Sequence, residues 1–174
     1  MPLVVLLRGV NVGGHRTFRP SELAKQLAHL DIVNIGAAGT FVVRAPVAQT
    51  KLRAELQRAL PFVTDIVICP GAEISGLLSN HPFEALPAEK EIVRFVTVLG
   101  KRPRTDPAMP ADFPAGGRWL VRILDRRDRF VFGAYRRDMK TIRYLGAADR
   151  LFDPPGTTRN WNTITAIAKV LGAG

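Results

Sequence analysis

The sequence has few of the features that mark secreted or membrane proteins. Its 174 residues include a single cysteine, Cys69, so no disulfide can form within the chain. No stretch reaches the roughly 18 consecutive apolar residues that a membrane-spanning helix needs. The apolar residues 3–8 have no basic leader and no small-residue cleavage site, which predicts a buried strand rather than a signal peptide. We therefore expect a cytoplasmic protein in which Cys69 is a buried thiol at a strand end.

The sequence also lacks the common patterns of catalytic and metal sites. The three histidines, His15, His29 and His81, have no metal-ligand spacing among themselves or with Cys69. There is no Gly-x-Ser-x-Gly nucleophile elbow. The segment Asn11-Val12-Gly13-Gly14 matches neither the dinucleotide fingerprint nor the phosphate-binding P-loop. These patterns predict no metal and no cofactor, and they leave open whether the protein is an enzyme.

Acidic residues are scarce relative to basic ones. The chain has 25 lysine and arginine residues against 15 aspartate and glutamate residues, a net charge of +10. A chain this basic attracts polyanions such as nucleic acid, or phosphorylated metabolites. Arginine outnumbers lysine, and alanine, proline and glycine are abundant, which is also the composition that a G+C-rich genome produces. Both explanations of the charge stay open at this point.

Strand and helix patterns alternate along the first seventy residues. Short apolar and β-branched runs predict strands, and apolar residues three or four apart predict helices. The predicted strands are 3–8, 32–35, 40–44 and 65–69, and the predicted helices are 20–30 and 47–60. The order β-α-β-β-α-β is that of the ferredoxin-like arrangement, in which two helices cover one face of a four-stranded antiparallel sheet. We therefore assign residues 1–70 to a ferredoxin-like subdomain of an α+β fold.

Residues 71–174 are predicted to form a smaller C-terminal α+β subdomain, packed with the first as one compact unit. It has a short helix at 71–79 and antiparallel strands at 92–99, 119–124 and 129–135. Its last helix carries Trp161, Ile164, Ala168 and Leu171 on one face. Four prolines and a glycine pair within 101–117 predict a long loop without regular structure.

The strongest charge feature lies in residues 118–143, which hold nine basic and three acidic side chains. Two of these arginines share a strand face by the period of two, and two lie in the predicted hairpin turn 125–128. Aromatic side chains are interleaved with them, a pattern that can bind phosphates and stack bases. The candidate nucleic-acid-binding residues are Arg118, Arg122, Arg126, Arg127, Arg136 and Arg137. A solvated outer face with core-facing aromatic residues explains the same pattern.

Two segments at opposite ends of the chain form a second candidate site, for an anion. In Arg8–Gly14, glycines let the backbone approach a ligand, and the following helix offers free N–H groups. In Thr157–Asn162, a threonine is predicted to cap the last helix, and the arginine offers a planar fork for phosphate or carboxylate. The candidate residues are Arg8, Asn11, Gly13, Gly14, Thr158, Arg159, Asn160 and Asn162. A tight turn and a buried hydrogen-bond network are the structural alternatives.

Three segments together resemble one known family. They are Leu6-Leu7-Arg8-Gly9-Val10-Asn11-Val12-Gly13-Gly14, Asn80-His81-Pro82-Phe83 and Thr157-Thr158-Arg159-Asn160-Trp161-Asn162-Thr163. The chain resembles the bacterial family known as domain of unknown function 1697 over essentially its whole length. The resemblance implies a two-part α+β fold with a ferredoxin-like N-terminal part, and no known activity, cofactor or substrate. The chain departs from the family pattern at Ala38-Gly39-Thr40, where Ser-Gly-Asn is usual, and at His15–Arg19, which replaces a lysine-rich stretch.

The charge pattern favours a binding module for an anionic partner, above all nucleic acid. The alternative is a protein or enzyme that takes a phosphorylated or carboxylated metabolite between Arg8–Gly14 and Thr158–Asn162. In a third interpretation, both motifs only join the two halves of the chain. No membrane partner is expected, and the sequence does not indicate an oligomeric state.

Overall fold

The computed structural model describes residues 1–10 and 17–172, which divide into two compact units. The first unit combines Met1–Ser79 with Asn162–Gly174, and the second is Asn80–Trp161. The sequence patterns placed the boundary after residue 70 instead. The difference arises because residues from 71 onward and the last helix pack with the first sheet. Gly71 donates its N–H to the Pro2 carbonyl at 2.9 Å, and a Cβ at Gly71 would lie 2.9 Å from Leu171 Cδ2.

The first unit contains a four-stranded antiparallel sheet. Its strands are β1 (Leu3–Leu7), β2 (Ile32–Asn34), β3 (Thr40–Val43) and β4 (Ile66–Pro70), in the order β2-β3-β1-β4. The helices of this unit are α1 (Pro20–Gln26), α2 (Gln49–Ala59) and α3 (Gly71–Gly76), and the unit also holds most of α5 (Trp161–Val170). All the strands predicted for residues 3–69 are present within one residue of the expected bounds, and α2 within two. Helix α1 ends at Gln26, four residues before the expected end, and a short 3-10 helix (Ala28–Leu30) follows it.

Both faces of strand β1 are buried. Leu3, Val5 and Leu7 belong to a core cluster that includes Leu23 of α1 and Leu56 of α2. Val4 and Leu6 point to the opposite face by the period of two, and they are also 0% exposed. A strand covered on both faces needs apolar residues at every position, which explains the unbroken apolar run in the sequence. Cys69 is a buried thiol near the end of β4, as predicted.

The second unit contains a five-stranded antiparallel sheet. Its strands are β5 (Ile92–Val98), β6 (Ala111–Phe113), β7 (Val121–Arg127), β8 (Phe130–Arg136) and β9 (Thr157–Asn160). The strand order is β6-β7-β8-β5-β9, and helix α4 (Thr141–Asp149) follows β8 along the chain. The fold is therefore mixed α+β with two antiparallel sheets.

Two strands of this sheet were not predicted. Strand β6 lies within the proline-rich segment expected to have no regular structure; Pro110 and Pro114 flank it and leave a three-residue edge strand. Strand β9 replaces the expected helix N-terminus, so neither Thr157 nor Thr158 caps a helix. The chain enters β9 through Gly156, where a Cβ would lie 2.5 Å from the Val98 carbonyl oxygen. Only glycine allows that close approach.

The hairpin between β7 and β8 is tighter than predicted. Strand β7 continues through Arg127, and the turn consists of Asp128 and Arg129, with Asp128 in the left-handed region at φ 54°. Arg126 and Arg127 therefore lie within a strand and not in a turn. A bulge between Ile123 and Asp125 shifts the register, so that Arg126 is paired with Val131.

Two broader expectations concern membranes and metals. No helix within residues 1–10 and 17–172 is long and apolar enough to cross a bilayer. Over the same residues, no group of three or more His, Cys, Asp or Glu side chains is placed to hold a metal ion.

Candidate functional site

Two of the predicted nucleic-acid-binding arginines contact a tryptophan ring. Arg122 Cζ lies 4.8 Å and Arg136 Cζ 4.3 Å from the centroid of Trp119, in cation–π contact. Arg122 also forms a bidentate ion pair with Asp112, with distances of 2.6 Å from Nε to Oδ1 and 2.9 Å from Nη2 to Oδ2. Its hydrogen bonds hold the pKa of the Asp112 carboxyl below the usual range. Arg136 is buried and donates from Nε to the Trp119 carbonyl at 3.0 Å.

Other arginines of this surface also bond to carboxylates. The partners come from the loop before β6, from the residues before β5 and from the hairpin itself. The pairs are Arg118–Glu91, Arg126–Asp106, Arg127–Asp125 and Arg136–Glu89. Several of these carboxylates lie outside residues 118–143, so a charge count over that window overestimates the charge that the folded surface carries.

Three cations of the window have a different environment. Arg137 donates to the Lys90 carbonyl at 3.1 Å, and within the described part of the chain neither it nor Lys140 nor Arg143 pairs with a carboxylate. They lie at and just before the start of α4, where Met139 is 98% and Ile142 80% exposed. The charge of these three cations is therefore not offset by an ion pair with a described residue.

The residues of the predicted anion-binding segment Thr157–Asn162 do not share one face, because the first four of them form a strand. Because β9 alternates its side chains, Thr158 and Arg159 point to opposite faces of the sheet. Arg159 is buried, and its Nη1 donates to Thr157 Oγ1 at 2.8 Å and to the Thr158 carbonyl at 2.9 Å. Burial lowers the pKa of the Arg159 guanidinium to about 10. Asn160 is exposed.

The other predicted anion ligands lie in the first unit. Arg8 Nη1 is 3.9 Å from Asp65 Oδ2. Asn162 is in the first turn of α5, where its carbonyl accepts a hydrogen bond from Thr165 Oγ1 at 2.8 Å. Asn11, Gly13 and Gly14 lie outside the described residues. The metabolite site predicted between Arg8–Gly14 and Thr158–Asn162 thus stays a prediction.

A partly open cavity of about 260 Å³ lies between α4 and one face of the second sheet. Its walls are mainly apolar, with a few hydroxyl groups and one carboxylate, which is the usual character of a small-molecule site. The lining residues are Phe95, Thr97, Leu99, Ile123, Val131, Tyr135, Leu145, Gly146, Ala148, Asp149, Phe152, Gly156 and Thr158. All thirteen belong to the second unit. Thr158 is the one residue of the sequence-predicted sites among them.

Strand register brings the sheet side of this cavity together. Phe95 and Thr97 of β5 are paired with Gly133 and Val131 of β8, so their side chains share a face. On the other side of β5, Thr97 is paired with Thr158, and their Oγ1 atoms lie 2.6 Å apart in a hydrogen bond. The Phe95 and Tyr135 ring centroids are 6.2 Å apart. The face therefore offers aromatic surface with a hydroxyl pair beside it.

Two glycines shape the cavity. At Gly133, a Cβ would overlap the Phe95 ring, coming within 2.8 Å of Cε1, and would lie 3.0 Å from the Arg122 carbonyl oxygen. The missing side chain lets the Phe95 ring lie across β8. At Gly146 in α4, a Cβ would meet nothing closer than Arg150 Nη1 at 3.8 Å. Glycine is therefore not required there by packing, and its presence keeps that part of the cavity wall empty.

Sequence patterns did not identify this cavity because its lining is spread over strands, a helix and the loop after it. Two weak signals were present. Gly133 interrupts a strand pattern, and such a glycine often marks a close approach of another group. Gly146 lies inside a helix, where glycine is less favourable than alanine by up to about 1 kcal/mol, so a packing or functional reason is expected.

The geometry defines a two-unit α+β protein with two antiparallel sheets and an apolar cavity in the second unit. The chain belongs to the family described as "Protein of unknown function (DUF1697)", which matches residues 1–118, and this confirms the resemblance noted in the sequence. Its fold is similar to that of the conserved bacterial protein SP0830 from Streptococcus pneumoniae, with a TM-score of 0.62 and 15% identity over 98% of each chain. That similarity shows a shared fold. No curated protein matches the chain.

Proposed function

We propose that the protein binds a small, mostly apolar molecule in the cavity between α4 and the second sheet. The observation that carries this proposal is the cavity of about 260 Å³ with its predominantly apolar lining. Protein interiors are close-packed, and voids much larger than a water molecule are few and destabilising. A cavity of this size beside a helix that holds an unobstructed glycine supports a ligand-binding function.

The volume limits the size of the ligand. A dry apolar cavity of about 150 Å³ accommodates benzene. In proportion, about 260 Å³ corresponds to a molecule of roughly ten non-hydrogen atoms, the size of a fused two-ring aromatic compound. Indole has this size, is soluble at millimolar concentration and carries no charge, which makes it a suitable probe.

The test is calorimetric titration of the full chain with indole, accompanied by thermal unfolding. Gly146→Leu places a side chain at the cavity wall, and we expect it to weaken indole binding at least tenfold. Gly76→Leu is the matched control, because Gly76 is also in a helix, has nothing within 4 Å of its Cβ position and lies in the other unit. Indole should raise the Tm of the parent and of the control, by an amount that grows with the logarithm of its concentration above the Kd. Equal binding by Gly146→Leu and the parent, or no binding at millimolar indole, would overturn the proposal.

Nucleic-acid binding is a second candidate function, and the cations near the start of α4 favour it. The chain carries a net charge of +10, and Arg137, Lys140 and Arg143 have no carboxylate partner among the described residues. Ion pairs within the second unit already engage the arginines at 118, 122, 126, 127 and 136. Direct contacts with phosphate are therefore better supplied by Arg137, Lys140 and Arg143.

The test of this second candidate is the salt dependence of binding to single-stranded RNA. Each phosphate contact contributes a slope of about 0.7 in log K against log salt. Replacing Arg137, Lys140 and Arg143 by alanine should lower the slope by about 2, whereas Arg118→Ala, which removes a cation paired with Glu91, should leave it nearly unchanged. Retention on heparin no stronger than that of a neutral protein would exclude this function.

We also propose that the first unit has the ferredoxin-like arrangement. Its element order β1-α1-β2-β3-α2-β4 and its antiparallel strand order β2-β3-β1-β4 support this assignment.

A further inference from the structure

We infer that the cavity of the second unit takes an uncharged planar aromatic ligand with a hydrogen-bond acceptor, such as a ring ketone, and that the acceptor binds the hydroxyl pair of Thr97 and Thr158. This inference rests on the proposed small-molecule function and specifies its ligand class. It differs from the anionic metabolite expected from the sequence, because only Thr158 of the motif residues lines the cavity.

The aromatic part of the ligand is indicated by the cavity walls. Phe95, Tyr135 and Phe152 contribute three rings to the lining. The Phe95 and Tyr135 planes are inclined by 33° with centroids 6.2 Å apart. Aromatic rings pack against one another with centroid separations of about 4.5–7 Å, so a planar ligand can contact these rings at favourable distances.

The polar part of the ligand is indicated by the hydroxyl groups of Thr97 and Thr158, which both line the cavity and lie opposite each other on β5 and β9. Their Oγ1 atoms share one hydrogen bond of 2.6 Å. Two hydroxyl groups have two hydrogens, and this bond uses one of them. Among the residues that the structure describes, no acceptor receives the other hydrogen. The pair therefore has one hydroxyl hydrogen to donate.

This remaining hydrogen determines which ligand groups are favoured. Without a ligand, solvent can accept it, because Thr158 is exposed. A ligand that fills the cavity displaces that solvent, and a buried donor without an acceptor is more costly than an unused lone pair. A hydrocarbon bears this cost, and a ligand whose only polar group is an N–H does not remove it. A carbonyl oxygen of the ligand accepts the hydrogen and removes the cost.

The hydroxyl pair also lies at a suitable distance from the aromatic wall. Phe95 and Thr97 share a face of β5 two residues apart, which corresponds to about 6.8 Å along an antiparallel strand. A ring stacked on Phe95 can therefore reach the pair with a carbonyl group at its edge. Asp149, the one charged residue of the lining, already interacts with a residue other than these two threonines, so it does not accept the remaining hydrogen.

The test compares three bicyclic molecules of similar size: indane without a polar group, indole with a donor, and 1-indanone with an acceptor. Calorimetric titration at pH 7 gives the Kd of each for the parent chain and for the double variant Thr97→Val/Thr158→Val. Replacing both partners of a hydrogen bond by apolar groups of the same shape is nearly neutral for stability, so the double variant should fold. We expect its Kd for 1-indanone to rise about fivefold or more, while the Kd values for indane and indole rise by less than about twofold.

The matched control is Thr105→Val, at an exposed threonine of the same unit that does not line the cavity. It should bind all three molecules as the parent does.

The outcomes separate this inference from the function on which it rests. If none of the three molecules binds to the parent, the proposed function fails. If they bind and the double variant keeps the parent's Kd for 1-indanone, the cavity binds ligands but the hydroxyl pair does not hold an acceptor, and the inference is refuted. An equal loss of affinity for all three molecules would show that the pair does not distinguish acceptors, which refutes it as well.

Discussion

Replacing Gly133 by alanine tests whether a missing side chain holds the cavity open. The added Cβ would overlap the Phe95 ring and lie 3.0 Å from the Arg122 carbonyl oxygen, so it has no room to move away from the ring. Alanine is otherwise favoured over glycine inside a strand by roughly 0.5–1 kcal/mol. The sign of the effect is therefore informative: a stabilised variant would mean that no overlap exists.

The expected magnitude follows from the cost of overpacking a buried site. Forced displacement of a buried side chain costs typically about 1–3 kcal/mol, and we expect Gly133→Ala to lower the free energy of unfolding by about 2 kcal/mol. Phe95→Leu alone should cost about 1 kcal/mol. Since the smaller side chain removes the overlap, the double variant should be more stable than additivity predicts by at least about 1 kcal/mol.

The assay is urea unfolding followed by tryptophan fluorescence. Both tryptophans, Trp119 and Trp161, lie in the second unit, so the signal reports on the unit that holds the mutation. The same three variants should be titrated with indole, because a rotated Phe95 ring would occupy cavity volume and weaken binding. The reasoning is refuted if the two single effects add to within about 0.5 kcal/mol, or if Gly133→Ala binds indole as the parent does.

Three further predictions concern residues around the cavity and the paired arginines. Gly146→Ala should raise the free energy of unfolding by about 0.5–1 kcal/mol in urea titrations, because it improves helix propensity and its Cβ meets no obstruction; a destabilised variant would contradict this. Arg136→Ala should lower the free energy of unfolding by about 2–3 kcal/mol in the same assay, because a buried guanidinium and its hydrogen bonds are lost. Arg137→Ala, at an exposed site, should change it by less than about 0.5 kcal/mol. Equal effects of the two substitutions would show that burial does not distinguish these neighbours. Because the pKa of Asp112 is lower in the folded protein than its unfolded value of 3.8, the ionised carboxylate stabilises the fold above pH 3.8, and this contribution is lost as the pH falls through the folded pKa. The difference in unfolding free energy between the parent and Asp112→Asn should therefore narrow on acidification below about pH 4. A difference that stays constant from pH 7 to pH 3 would refute this prediction.

The first sheet could be predicted from the sequence because its elements have strong local patterns. The apolar run of β1 and the spacing of Leu52 and Leu56 in α2 each identify an element without reference to distant residues. Strands β6 and β9 gave no such signal. Each is three or four residues long and polar in part, and each exists because it pairs with a strand elsewhere in the chain.

The charged surface could be predicted only in part, for a similar reason. The excess of arginine in residues 118–143 is real, but Asp106, Asp112 and Glu89 reach it from other segments. A count of charges within a window of sequence does not include carboxylates that the folded sheet brings in from other segments. The cavity could not be predicted from the sequence. Its lining residues Tyr135, Leu145 and Asp149 share no motif, and only the packing of α4 on the sheet brings them together.

The insertion of one unit within the other determines the order in which they can be completed on the ribosome. The first unit begins the chain, yet part of it is α5, whose Ile164 and Ile167 are fully buried. The second unit ends at Trp161, so all of its residues emerge while the first unit still lacks its final helix. Proteolytic removal of the residues after Trp161 would consequently leave the sequence of the second unit complete, whereas the first unit would lose helix α5.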